Sequence, residues 1–115
     1  MLFLSTVALA AAPQGAGPEA GSAANGKVLF RKVGCFECHG YAGQGGRAGA
    51  PIAGLPLRAQ DLIRYVRHPA GEMPAYTEKV VSDRELEDIY AYIRTLPSPK
   101  PVKDIPLLNK IKERQ

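Results

Sequence analysis

The sequence contains few of the residues on which most enzyme sites depend, since only two of its 115 residues are cysteines and two are histidines. It offers no nucleophile–base constellation, and we expect no enzymatic activity of its own. No segment alternates apolar and polar residues for long enough to predict a strand. The net charge is a mild +4, without a dense basic run or interleaved aromatic and basic residues, so nucleic-acid binding is not expected.

The N-terminus is apolar and uncharged, and no lysine or arginine precedes Lys27. An apolar stretch of about 12 residues is too short to span a bilayer but fits the apolar core of a signal peptide. We therefore expect residues 1–12 to be a signal peptide or N-terminal anchor. The protein would be exported, to the periplasm for example, and membrane-associated if this segment is not cleaved. Residues 13–24, rich in Pro, Gly, Ala and Ser, are predicted to be a flexible linker.

Three segments in the middle of the chain place apolar residues at helical spacing. They run from Asn25, as the N-cap, to about Val33, from Ala59 to Arg67, and from a capping box at 82–85 to just before Pro97. Residues 25–96 are thus predicted to form one all-α domain. Residues 97–115 are predicted to be a Pro-rich basic tail that becomes helical near 107–112.

Three helices of about ten residues each make a thin core for a domain of this size. The connections between them, residues 40–57 and 68–81, are long and rich in Gly and Pro. Loops of such length in a compact domain indicate a function, or a large group around which the chain folds. The sparse core therefore favours a bound cofactor independently of any motif.

The two cysteines belong to Cys35-Phe36-Glu37-Cys38-His39, the C-x-x-C-H pattern of covalent haem attachment. Thiols at this spacing reach the two vinyl groups on one side of a porphyrin and form thioethers. The histidine that follows is then placed beneath the iron as its proximal ligand. The motif predicts one covalent haem c, with its iron, on Cys35, Cys38 and His39.

A pair of cysteines at this spacing has three other interpretations. A disulfide between Cys35 and Cys38 would close too small a loop to restrain the unfolded chain much. A thioredoxin-like redox pair requires a preceding strand, which the sequence does not predict. A Cys2His2 zinc site would need both His39 and His68 to be well placed, and His39 directly follows a ligand cysteine.

The sixth iron ligand is sought among Met73, His68 and, less often used in such sites, a lysine such as Lys79. Met73 lies in a Pro-containing segment between two predicted helices, which suits a ligand presented by extended backbone. A thioether ligand raises the reduction potential of the iron. His68 is equally explained as a helix-terminal residue near the negative end of the dipole. Met73 is the preferred candidate, and a position left open is the alternative.

Taken in order, these residues resemble the class I c-type cytochromes, small monohaem proteins whose iron is bound by histidine and methionine. The resemblance covers residues 25–96 and includes motifs beyond the haem-attachment sequence. They are Gly26 and Phe30, Cys35–His39, Gly49-Ala50-Pro51-Ile52, Met73-Pro74 and Tyr92-Ile93. The chain departs from the family pattern in the Ala50 inserted between Gly49 and Pro51.

The resemblance implies a cytochrome c-like fold in which three main helices and long loops surround one haem. Gly26 would let the first helix cross closely over the last at Tyr92, and Pro51 would offer its carbonyl to the Nδ1–H of His39. The implied function is single-electron transfer between exported redox partner proteins, by a monomer. The alternatives are a dedicated cytochrome subunit of a larger periplasmic dehydrogenase complex and a ligand-binding haem protein with an open sixth site.

Overall fold

The computed structural model describes residues 21–112, and every regular element in that range is helical. The signal-peptide prediction for residues 1–12 and most of the predicted linker lie outside the described residues. The elements are α1 (Ala23–Lys32), α2 (Cys35–His39), α3 (Ala59–Arg67), α4 (Asp83–Thr95), a 3-10 turn (Val102–Asp104) and α5 (Pro106–Lys112). The predicted all-α class is confirmed. Within this range, no helix combines the length and apolar content that crossing a bilayer would require.

The start of α1 differs from the sequence-based expectation. Its N-cap is Ser22, whose Oγ accepts a hydrogen bond from the Asn25 backbone N–H at 3.2 Å. Asn25 therefore lies inside the helix, and the last two residues assigned to the linker are helical. The prediction was wrong because two good N-cap residues lie three positions apart, and tertiary contacts of Asn25 decide between them.

The predicted second and third helices agree closely with the structure. The helix α3 has the predicted bounds, and α4 begins with the expected capping box between Ser82 and Glu85. The tail also becomes helical where expected, in α5. The five-residue α2 was not predicted, because so short a helix contains too little apolar periodicity to be recognised.

The helices α1 and α4 cross at a glycine. A Cβ built on Gly26 would lie 1.9 Å from the backbone oxygen of Asp88, so no larger residue fits between the two helices. The predicted close crossing is present, but Gly26 faces the backbone of Asp88 and Ile89 rather than the Tyr92 ring. That ring packs edge-on against Phe30 instead, with centroids 5.5 Å apart.

A buried carboxylate fastens the same crossing. Asp88 is 6% exposed and accepts hydrogen bonds from the Ser22 backbone N–H at 2.6 Å and from the Asn25 side-chain amide at 2.8 Å. The bond from Asn25 holds the pKa of the Asp88 carboxyl below its usual value. The crossing holds the N-terminal half of α1 against α4, and the C-terminal end of α1 leads into the predicted haem-attachment motif.

Candidate functional site

The motif cysteines and histidine lie on α2, directly after α1. A loop of residues 45–50 packs against the end of this helix, since the Gly45 N–H donates to the His39 carbonyl at 2.8 Å. A Cβ on Gly49 would lie 2.8 Å from the Cys38 carbonyl oxygen. Gly49 is therefore required for the loop to approach α2 this closely.

The same loop orients the His39 ring. The Ala50 carbonyl oxygen lies 2.7 Å from Nδ1 of His39, so Nδ1–H donates and Nε2 is left for a metal ion. The expectation that Pro51 supplies this carbonyl was wrong, because the residue inserted before Pro51 occupies the position facing the ring. Pro51 instead lines the adjacent cavity.

A cavity of about 1150 Å³ adjoins α2, which is slightly larger than the roughly 300–1,000 Å³ typical of small-molecule sites. Its floor is the hydrophobic core itself, because the buried side chains of Phe30, Ile89 and Ile93 line it. At its rim, Leu55 and Tyr65 remain 39% and 49% exposed. The predicted thin core is thus a core open on one side toward a large apolar space.

Both cysteines line this cavity as free thiols. Burial raises the pKa of the Cys35 thiol to about 11, so that it is protonated at neutral pH. A redox-active C-x-x-C pair requires the opposite shift, which argues against the thioredoxin-like alternative. Within residues 21–112, no group of three or more His, Cys, Asp or Glu residues is arranged to hold a metal ion, so the zinc alternative has no donor set there.

The structure brings two of the three candidates for the sixth ligand to the same cavity. Met73 is half-buried and lines the cavity together with His39, Cys35 and Cys38. His68 also lines it but is exposed, whereas Lys79 is exposed and is not among the lining residues. Of the three candidates, Met73 alone both lines the cavity and is partly buried.

The loop that contains Met73 is tied to the rest of the domain at Tyr76. The Tyr76 hydroxyl donates to the Val33 carbonyl at 3.1 Å, two residues before Cys35. Burial raises the pKa of this hydroxyl. The cysteine side and the methionine side of the cavity are therefore connected by a direct hydrogen bond. Neither Tyr76 in this role nor Ala50 was identified from the sequence, because both depend on partners distant along the chain.

These residues fit a covalently attached haem. Two free thiols at the required spacing lie on one wall, and a histidine is oriented by its Nδ1 partner. A thioether sulfur lies on the lining of the same apolar cavity. Soft sulfur donors and imidazole form the ligand set expected for haem iron.

Comparison with known proteins agrees with this chemistry. The family model described as cytochrome c oxidase, cbb3-type, subunit III matches residues 21–93. A menaquinol:cytochrome c reductase cytochrome c subunit from Bacillus subtilis is 33% identical over 70 residues, 61% of this chain and 27% of that protein. A cytochrome bc1 complex cytochrome c subunit from Corynebacterium diphtheriae is 32% identical over 76 residues, 63% of this chain and 26% of that protein. The chain thus spans about a quarter of the length of these relatives. No solved structure matches it significantly.

Proposed function

Because the chain belongs to the cytochrome c family described as subunit III of cbb3-type cytochrome c oxidase, we propose specific roles for its site residues. Cys35 and Cys38 form the two thioethers to the haem, and His39 and Met73 bind its iron. The cofactor of this domain is haem c, and its function is single-electron transfer. The observation that carries the residue assignment is the convergence of these four side chains on one large apolar cavity.

When bound, the haem supplies an iron that alternates between the ferric and ferrous states. The protein controls how readily this occurs. The Ala50 carbonyl fixes the orientation of the His39 ring and increases its basicity. A thioether from Met73 would raise the reduction potential, and the apolar lining limits the access of water to the iron. If His39 and Met73 both held the iron, the protein would leave no position on it for a substrate, and the domain would act as an electron carrier rather than as a catalyst.

Covalent attachment is tested with protein produced alongside a haem-attachment system. Acid–acetone extraction should leave the haem on the unsubstituted chain and remove it from the Cys35→Ser/Cys38→Ser double variant. The matched control is Glu37→Gln, which changes an exposed residue between the cysteines and should retain the haem. Haem that leaves the unsubstituted chain on extraction would exclude the proposed thioethers.

The sixth ligand is tested by comparing two residues that line the same cavity. We expect Met73→Ala to abolish the sulfur-to-iron absorption band of the oxidised protein and to permit carbon monoxide binding to the reduced protein. His68→Ala serves as the control and should change neither property. If Met73→Ala keeps the band, Met73 is not the sulfur ligand. If the unsubstituted protein binds carbon monoxide readily, an open sixth site is favoured over ligation by Met73.

We further propose a domain organisation in which residues 1–12 direct export and residues 13–21 form a linker. Residues 22–96, which include the N-cap of α1, carry electrons, and residues 97–115 form an appended tail. The redox partners would then be exported proteins, and an uncleaved N-terminus would hold the domain at a membrane. Fractionation of cells that express the full chain, with and without residues 1–12, tests this location. Recovery of haem-bearing protein outside the cytoplasm without residues 1–12 would contradict it.

A second candidate function is that of a cytochrome subunit in a larger complex. The two relatives are cytochrome c subunits of a menaquinol:cytochrome c reductase and of a cytochrome bc1 complex. The tail of this chain also exposes apolar residues in a segment that contains lysines. Val102 and Leu107 are 55% and 68% exposed, which suits contact with another subunit. Co-purification of the full chain, but not of a chain lacking the tail, with a membrane-bound reductase would favour this candidate over a freely diffusing carrier.

A further inference from the structure

Arg67, the last residue of α3, lies at the base of the loop that contains Met73. Its side chain is 15% exposed, which is low for an arginine outside a protein core. The guanidinium group points at the far end of the loop, where the chain returns toward α4. Arg67 therefore connects the two ends of the segment that presents Met73 to the cavity.

Three hydrogen bonds of Arg67 hold the part of the chain that leads from the loop back to α4. Its Nη1 donates to the Tyr76 carbonyl at 2.9 Å, and its Nη2 donates to the Val81 carbonyl at 2.9 Å. The same Nη2 contacts Oδ1 of Asp83 at 2.5 Å. The planar fork of an arginine can satisfy acceptors in several directions at once, which a lysine ammonium at this site would do less well.

Tyr76 makes a second hydrogen bond to α3. Its backbone N–H donates to the Val66 carbonyl at 3.1 Å, while its own carbonyl is the acceptor for Arg67. Both backbone polar groups of Tyr76 are thus bound to consecutive residues at the end of α3. Residues 68–75, which contain Met73, therefore form a loop whose two ends are held together by these hydrogen bonds.

We propose that Arg67 is a positioning residue, which keeps the Met73 segment closed so that its thioether stays directed at the cavity. The proposal rests on the proposed role of Met73 as iron ligand. Without the Arg67 bonds the segment would open more often, and an external ligand would compete more effectively for the sixth position of the iron. The bonds of Tyr76 to Val33 and to Val66 would remain. Both act at Tyr76, however, and the bonds from Arg67 to Val81 and Asp83, where the chain returns toward α4, would be lost.

The test uses the full haem-loaded chain and imidazole as the competing ligand. Imidazole binding to the oxidised protein is followed by loss of the sulfur-to-iron band. We expect Arg67→Gln to bind imidazole about tenfold more tightly or better, because hydrogen bonds from a charged donor are each strong enough for such a shift. Arg67→Lys should lie between the two, since it keeps the charge but loses the fork.

A second readout is amide hydrogen exchange of the Tyr76 N–H and its neighbours in residues 69–80. Exchange there should accelerate in Arg67→Gln under conditions far below the melting temperature. The control is Arg58→Gln. Arg58 is the N-cap residue of α3, pairs with Asp61 in the first turn of that helix, and has a side chain that is 81% exposed. This surface pair should affect imidazole affinity and exchange by less than about twofold.

The outcomes separate the proposal from its premise. If Arg67→Gln lowers the melting temperature but leaves imidazole affinity and loop exchange unchanged, Arg67 only stabilises the fold and the proposal is overturned. If the unsubstituted protein lacks the sulfur-to-iron band, the assignment of Met73 fails instead. The exchange rates then decide about Arg67 alone, and unchanged rates in Arg67→Gln would again overturn its role.

Discussion

Replacement of Gly26 by alanine should separate the two helices that form the base of the cavity. The added Cβ would lie 1.9 Å from the Asp88 oxygen, whereas ordinary contact begins at 3.4 Å. The position of the Cβ is fixed by the backbone of residue 26, and the oxygen belongs to the backbone of Asp88, so no side-chain rotation can relieve the overlap. The helices must therefore move apart by about 1.5 Å along this line, an overpacking that is poorly tolerated in a close-packed interior.

Two opposing effects decide the size of the change. Alanine is a better helix former than glycine by about 1 kcal/mol. Overpacking costs about 1–3 kcal/mol, and a gap of this width forfeits much of the dispersion energy between the helices. The separation of the helices would also lengthen the hydrogen bonds that Asp88 accepts from Ser22 and Asn25. The interface dominates, and we expect Gly26→Ala to lower the free energy of unfolding by about 2–4 kcal/mol.

Thermal and urea unfolding of the haem-loaded protein, followed by far-ultraviolet circular dichroism, measures this loss. For a domain of 60–100 residues this loss corresponds to a fall in melting temperature of roughly 8–32 °C. The matched control is Gly46→Ala, where the nearest atom to a new Cβ is the Cys38 oxygen at 3.7 Å. If Gly26→Ala is as stable as this control, α1 and α4 do not cross as described.

Two further predictions concern the acid stability of the domain and its tail. The bond from Asn25 lowers the pKa of Asp88 in the folded protein, so its contribution is complete above the unfolded pKa of about 3.9. It should be lost as pH falls through the lower folded value, and Asp88→Asn should flatten this acid-side fall in unfolding free energy; an unchanged pH dependence in the variant would contradict the assignment. Deletion of residues 101–115 should leave the unfolding free energy within about 0.5 kcal/mol, because α5 packs chiefly on the neighbouring 3-10 turn. A larger loss in urea unfolding would show that the tail is part of the domain.

Local features of the sequence were sufficient for much of the fold. The bounds of α3 and the capping box of α4 follow from apolar spacing and from side chains a few residues apart. These interactions join residues within one or two helical turns, so they do not depend on how the rest of the chain folds. The C-x-x-C-H motif is local for the same reason, since its geometry is set by five consecutive residues.

The tertiary structure decided the features that depend on distant partners. His39 meets the Ala50 carbonyl eleven residues away, and which carbonyl faces the ring depends on the path of an irregular loop. Asn25 enters α1 because Asp88, 63 residues away, binds its side chain. Arg67 likewise reaches carbonyls that only the folded loop brings within hydrogen-bonding distance.

The sequence by itself therefore determined the longer helices apart from the start of α1, together with the attachment motif and the need for a large cofactor. It could not determine which backbone groups orient the ligands, because every carbonyl is chemically alike and position alone distinguishes them. The positions of these backbone groups depend on the contacts that bring separate segments together, namely the crossing of α1 and α4 at Gly26 and the approach of Gly49 to α2. The chemistry of the site is thus encoded locally, while its geometry belongs to the folded chain.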